Sequence, residues 1–205
     1  KIKEESVTYY DGEIIYTNRY PDPSSLPQPE IEKMATWSVA DSSINAVLTN
    51  AELTAEVNRS NMVVATLPLS APKTYFEVKV ETNGAIIGLA RKDAGKTNAN
   101  GAVIGVNNMS WGLNTTTGIF THNGQTLTYC PPVPVGSTVG VLIDLTNGVL
   151  SYQVGSVMYG VAAIGLEQFS DLHPAACGTS ASTQSKFTAN FGQVPMTNTP
   201  PYDFR

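Results

Sequence analysis

The sequence predicts an all-β fold, an antiparallel β-sandwich with an extended N-terminal arm, and three observations carry that prediction. Short β-rich runs recur from residue 36 to residue 193, with Gly, Asn, Asp and Pro between them at intervals of about 8–12 residues. No window shows a convincing helical period. Two β-rich runs, 139–145 and 149–154, flank Thr146-Asn147-Gly148. Asn-Gly tolerates the positive φ angles of a type I′ turn, the strongest short-range hairpin signal.

Residues 1–35 read as an arm. Val7-Thr-Tyr-Tyr10 and Glu13-Ile-Ile-Tyr16 around Asp11-Gly12 have the form of a small hairpin. Pro21-Asp-Pro-Ser-Ser-Leu-Pro-Gln-Pro29 follows as an extended, semi-rigid linker, fit to join the sandwich to another module or to pack along a neighbouring subunit. Residues 36–193 carry the sandwich, and 194–205 form a C-terminal extension.

Strands are expected at 46–48, 52–57, 62–66, 74–81, 85–89 and 103–106, then at 118–121, 126–129, 139–145, 149–154, 156–159 and 186–191. In Tyr75-Phe-Glu-Val-Lys-Val80 a period of two puts Phe76, Val78 and Val80 on a buried face and Tyr75, Glu77 and Lys79 on the other. Val139-Gly-Val-Leu-Ile143 is nearly all apolar and reads as a central strand. Residues 30–34 and 166–171 each allow one short helical turn, and there is no internal repeat. Asp144 stands where its carboxylate can accept backbone N–H groups of the following turn, so Asp144, Asn147 and Gly148 form a structural hairpin.

At 205 residues the chain can bury a self-sufficient core. Its charged fraction of 14% is low against about 25% in ordinary domains. Net charge is −5 and Lys and Arg are scattered, which argues against nucleic acid and anionic membranes. No apolar run is long enough to span a bilayer, and the first residues lack a signal-peptide core. The chain begins without Met, as a processed or trimmed piece of a longer protein would, so missing targeting signals are no guide to location. Cys130 and Cys177 are too few for a disulfide framework; idle, buried thiols are expected over a single Cys130–Cys177 bridge.

Several of these pieces together resemble the SPRY domain family. Thr74-Tyr-Phe-Glu-Val-Lys-Val80 resembles its "YFEV" strand, Ile86-Ile-Gly-Leu-Ala90 its "IGLA" strand and Ser110-Trp-Gly-Leu113 its "SWGL" element. A short hairpin ends at Gly124, and the run from Gly136 to Tyr152 is similar to the signature hairpin, with Tyr152 at its aromatic position. Leu172-His173-Pro174 and Thr188-Ala-Asn-Phe-Gly192 match the approach to the last strand and the closing "NFG". Two features depart from the pattern: the usual Asn-Gly after the signature hairpin is replaced around Gly155, and the loops are rich in Thr, Asn and Ala. In style the 37–66 segment and the Gly192-Gln-Val-Pro-Met ending look more like SPRY modules of tailed-phage structural proteins. The resemblance implies a concanavalin-like jelly-roll sandwich that binds a protein partner through loops at one end.

Little in the sequence suggests catalysis. His122 precedes Asn123-Gly124 as a turn residue, His173 precedes Pro174, and no nucleophile elbow or metalloprotease helix is present. Asp93 to Gly101 lacks the acidic spacing of a calcium loop, and no zinc spacing exists, so no metal and no cofactor is expected. The three N-x-[ST] matches at Asn58, Asn108 and Asn114 are expected by chance in such a composition. Candidate binding loops are 90–102, 107–117, 129–136 and 178–185, within which Arg91, Trp111 and Tyr129 are the anchors, with Trp111 also fit to pack as core.

Three functions are weighed. The low charge, the polar surface and the Pro-rich arm point to a non-catalytic virion module, such as a phage fibre, tail or capsid-decorating protein, that attaches to a host-surface receptor or joins virion subunits, as a homo-oligomer. The first alternative is a cytoplasmic SPRY adaptor domain that docks a short peptide of a partner protein. The second is a glycan-binding sandwich, for which Trp37, Trp111 and the nine tyrosines offer stacking surfaces.

Overall fold

The computed structural model describes residues 8–10, 13–15, 34–95 and 103–204. The chain falls into two compact units, Lys1–Lys33 and Met34–Arg205. In the first, β1 (Thr8–Tyr10) pairs antiparallel with β2 (Glu13–Ile15), and Tyr10 faces Glu13. The expected Asp11-Gly12 turn between them and the Pro-rich stretch lie outside the described residues.

The second unit is a sandwich of two antiparallel sheets. One contains β5 (Val63–Val64), β7 (Ile86–Arg91), β8 (Ser110–Asn114), β9 (Ile119–His122), β10 (Gln125–Thr128) and β14 (Leu172–Cys177), in the order β10-β9-β8-β7-β14-β5. The other contains β3 (Val47–Thr49), β4 (Thr54–Val57), β6 (Lys73–Thr82), β11 (Thr138–Asp144), β12 (Val149–Val154), β13 (Val157–Ala163) and β15 (Ser185–Asn190), in the order β13-β12-β11-β6-β15-β4-β3.

Alternation along the strands builds the core. Phe76, Val78 and Val80 of β6, Val139, Val141 and Ile143 of β11, and Phe187 of β15 meet Ile87, Leu89, Trp111 and Leu113 of the facing sheet. The fully buried Tyr152 on β12 spans the gap and donates its hydroxyl to the Ile87 carbonyl at 3.0 Å. Trp37 bridges Ala65, packs edge-on against Phe187 and Phe191, and donates Nε1–H to the Leu53 carbonyl at 2.9 Å.

Four expectations need correction. Residues 103–106 are a turn and not a strand: Gly105 has φ +89°, and the buried Ile104 joins Ile86, Ala90 and Ala175 in a second apolar cluster. Residues 107–117, expected as a loop, contain β8, and β14 was also unforeseen. The single Gly in Ser-Trp-Gly-Leu-Asn and the Pro in Leu-His-Pro-Ala-Ala-Cys mask the strand signal. The Asn147-Gly148 turn is not type I′. Asp144 faces Val149 across a four-residue loop in which only Gly148 has positive φ, +64°. The two-residue type I′ turn is Asn123-Gly124, with φ of +50° and +71° between His122 and Gln125.

The fourth correction concerns the supposedly solvent-facing row of β6. Tyr75 and Glu77 are 3% and 1% exposed, because the C-terminal stretch crosses that face. The backbone N–H groups of Thr197 and Asn198 each donate to the Glu77 carboxylate at 2.7 Å, and the Tyr75 hydroxyl donates to it at 2.9 Å. The Gln153 side-chain amide donates to the Thr199 carbonyl at 3.2 Å, and Lys73 pairs with Asp203. The 194–204 segment is thus a strap on the seven-stranded sheet.

Candidate functional site

Strand direction sorts the loops between the two ends of the sandwich. Residues 83–85, 115–118, 129–137 and 178–184 share one end; 92–95, 103–109, 123–124, 145–148 and 164–171 share the other. Arg91 and Trp111 therefore belong at the second end, while Tyr129 enters from the first. The structure does not gather the three expected anchors into one place.

Arg91 closes β7 and lays its Nε–H between both oxygens of Asp171, each at 3.0 Å. This ion pair is two-fifths exposed, so its guanidinium stays accessible. Trp111 is 2% exposed, sandwiched by the parallel His122 ring at 4.5 Å and by Phe169 edge-on at 5.1 Å. His122 faces Trp111 across β8 and β9, and its Nδ1 lies 2.9 Å from the Ser110 carbonyl oxygen.

Tyr129 serves β12 and β13. Their pairing slips between Ser151 and Gln153, and the Tyr129 hydroxyl fills the slip. It accepts the Tyr152 N–H at 3.1 Å and donates to the Gly160 carbonyl. Burial pushes the Tyr129 hydroxyl up to about 12, so it remains a donor across the working pH range.

The hairpin residues have local partners. Asp144 accepts the Asn147 N–H at 3.0 Å and its side-chain amide at 2.9 Å, and Lys73 stands 3.7 Å away. Burial opposes the charge, but the Asn147 hydrogen bonds and Lys73 prevail and hold the carboxyl below its ordinary range. A Cβ on Gly148 would run into the Glu167 carboxylate.

The other groups with chemical potential are occupied. His173 is 3% exposed with Nδ1 at 2.8 Å from the Ala65 carbonyl oxygen. Cys130 and Cys177 are free and buried, and burial drives the Cys177 thiol up to about 12, away from reactive thiolate. Among the described residues no cluster of three or more His, Cys, Asp or Glu could hold a metal ion, and no helix is long and apolar enough to cross a membrane. The Asp- and Asn-containing stretch weighed for calcium, 93–101, is mostly outside the described residues.

Three concavities among the described residues bear on binding. A hollow of about 550 Å³ on the outer face of the seven-stranded sheet is lined by Lys79, Glu81, Lys186 and Thr188 beside the strap. A second, about 350 Å³, sits among the Thr- and Ser-rich loops at Asn83, Thr116 and Thr179. The third, about 340 Å³, opens between the last strands of the two sheets, with Trp111, Phe120 and His122 at its base and Leu127 and Ile164 on its rims. No Asp, Glu, Lys or Arg lines it. Leu127 is 47% exposed and Ile164 76%, an apolar pair left in water beside a concave, uncharged base. Sequence reasoning found Trp111 but missed Leu127 and Ile164. Only the pairing order reveals that β10 and β13 end their sheets on the same flank.

Comparison with known proteins gives this architecture its place. Residues 73–194 match the SPRY domain model. Among curated proteins, the chain is 27% identical over 107 residues to F-box/SPRY domain-containing protein 1 of Anopheles gambiae, covering 49% of this chain and 41% of that protein. It is 31% identical over 85 residues to the proteins of that name from Culex quinquefasciatus and Aedes aegypti, covering 38% of this chain and 33% of each of them. The chain thus spans less than half the length of these relatives. Among solved structures, the SPRY domain of human HERC1 superposes with a TM-score of 0.64 at 15% identity, over 78% of this chain and 99% of that one. The TRIM65 PSpry domain gives 0.59 at 17% identity, over 77% of this chain and 90% of that one. Stonustoxin gives 0.60 at 17% identity, over 77% of this chain but 27% of its own. With the YFEV strand, the signature hairpin and both sheets accounted for, the chain belongs to the SPRY domain family.

Proposed function

We propose that this chain is the non-catalytic recognition domain of a cytoplasmic adaptor, and that it binds a short segment of a partner protein in the groove between β10 and β13. The observation that carries this reading is the uncharged groove over Trp111 and His122, rimmed by the exposed Leu127 and Ile164. Apolar concavities with a few polar groups at their margin, here Asn123 and Gln125, are the usual form of a specific site. The family supports a protein-interaction module. The relatives' names join a SPRY domain to an F-box, which favours an adaptor over the virion module that composition suggested. Arg91, beside its Asp171 partner at the same end, is placed to contact the flank of a bound segment.

The test is selection of binding peptides from a phage-displayed random library on the full chain. The Leu127→Asp, Ile164→Asp double variant should lose at least tenfold in affinity for the selected peptides with an unchanged melting temperature. Selected peptides that bind this variant as tightly as the parent would remove the groove as the site.

A further inference from the structure

β13 is an edge without the usual protection. It ends the seven-stranded sheet, and no strand pairs with its outer side among the described residues. Natural edges are blunted by charge, proline or a covering segment, because their unpaired N–H and C=O groups are templates for another strand. The strand reads Val-Met-Tyr-Gly-Val-Ala-Ala, without charge or proline. Val157 is 51% exposed, Met158 45% and Val161 54%, on the two faces of the strand, and Ile164 follows at the groove rim.

The edge is also held in place. The Tyr129 hydroxyl ties the Gly160 carbonyl to the Tyr152 N–H, filling the slip in the β12–β13 pairing. A template fixed before binding loses little conformational freedom when a partner strand arrives. Across the groove, β10 is exposed along its whole length.

We propose that β13 is a docking edge at which an extended, uncharged segment of a partner protein adds as a further strand, with one row of its side chains seated in the groove beside β10. This deepens the recognition reading above and rests on it. Charge complementarity sets the chemistry of the occupant. The chain carries a net charge of −5, yet no Asp, Glu, Lys or Arg lines the groove. A charged side chain seated there would shed water and gain no partner.

Area separates a peptide from a second copy of the chain. A strand of seven residues is about 23 Å long, and a sheet occupies about 10 Å of depth, so edge-to-edge pairing offers roughly 230 Å² of face. A standard stable interface needs about 800 Å² per partner. Recognition by strand addition has no such requirement, since main-chain hydrogen bonds supply affinity and pockets for alternate side chains supply specificity.

The experiment takes the tightest peptide selected from the random library and measures its affinity for the full chain by fluorescence anisotropy. The same is done for Val161→Lys, for Met158→Lys, and for a version of the peptide with alternate backbone amides N-methylated. Both side chains are exposed, so the variants should keep the parental melting temperature. At least tenfold weaker binding is expected in each variant and for the methylated peptide. Binding that changes less than twofold in all three measurements overturns the added strand, and if Leu127→Asp, Ile164→Asp still abolishes it, the groove reading survives alone. Self-association of the full chain, seen by sedimentation and lost in Val161→Lys, would assign the edge to a second copy and equally overturn the proposal.

Discussion

Replacing Glu77 by Ala should release the C-terminal strap and lower stability by about 3 kcal/mol. The carboxylate receives three hydrogen bonds, from the Tyr75 hydroxyl at 2.9 Å and from the N–H groups of Thr197 and Asn198 at 2.7 Å. A hydrogen bond to a charged group contributes about 1.5–3 kcal/mol. Simple addition overstates the loss, because a released strap regains water for its two N–H groups and leaves only Tyr75 short of a partner. About 3 kcal/mol is the share that survives this relaxation. For a domain of this size, roughly 2–4 °C of melting temperature accompanies each kcal/mol, which makes the expected drop about 9 °C. Two assays read it: urea unfolding for stability, and amide hydrogen exchange at Thr197 and Asn198 for the strap itself. Glu77→Gln, which keeps the volume and one acceptor, should fall near the middle. A loss below about 0.5 kcal/mol with unchanged exchange at Thr197 and Asn198 would refute the reasoning.

Other outcomes follow from the same geometry. Asp144→Ala should cost about 2 kcal/mol by removing the acceptor of two Asn147 hydrogen bonds, leaving affinity per folded molecule intact. The folded Asp144 carboxyl lies below its ordinary value, so its contribution is present above the unfolded pKa and is lost as pH falls through the folded one. Acid titration of stability should therefore be shallower in Asp144→Asn, and an identical slope would contradict the assignment. Trp111→Ala should cost about 3–5 kcal/mol, because the indole fills the space between His122 and Phe169. A stable Trp111→Ala protein that has lost binding would reassign that residue from core to contact.

The sandwich was legible because period-two alternation and turn residues are local signals. Phe76, Val78 and Val80, the β11–β12 hairpin and the family motifs all announce themselves within a few residues. What the sequence hid is non-local. Tyr75 and Glu77 alternate as solvent residues should, and only the strap, more than a hundred residues later, makes them interior. Asn147-Gly148 and Asn123-Gly124 are the same dipeptide, yet loop length decides their turn types, and loop length depends on where pairing stops. The groove is hidden for the same reason. Leu127 and Ile164 look like ordinary apolar strand and loop residues until the pairing order leaves β10 and β13 as neighbouring ends. Tyr129 illustrates the reverse, an aromatic loop residue whose hydroxyl is occupied by the backbone of β12 and β13.

Amide and methyl chemical-shift mapping of a library-selected peptide on the isotope-labelled full chain tests the recognition site most directly. The account predicts that shifts concentrate on Leu127, Ile164, Val161 and His122, flanking the groove. Shifts confined to the opposite end, at residues 83–85, 129–137 and 178–184, would contradict it.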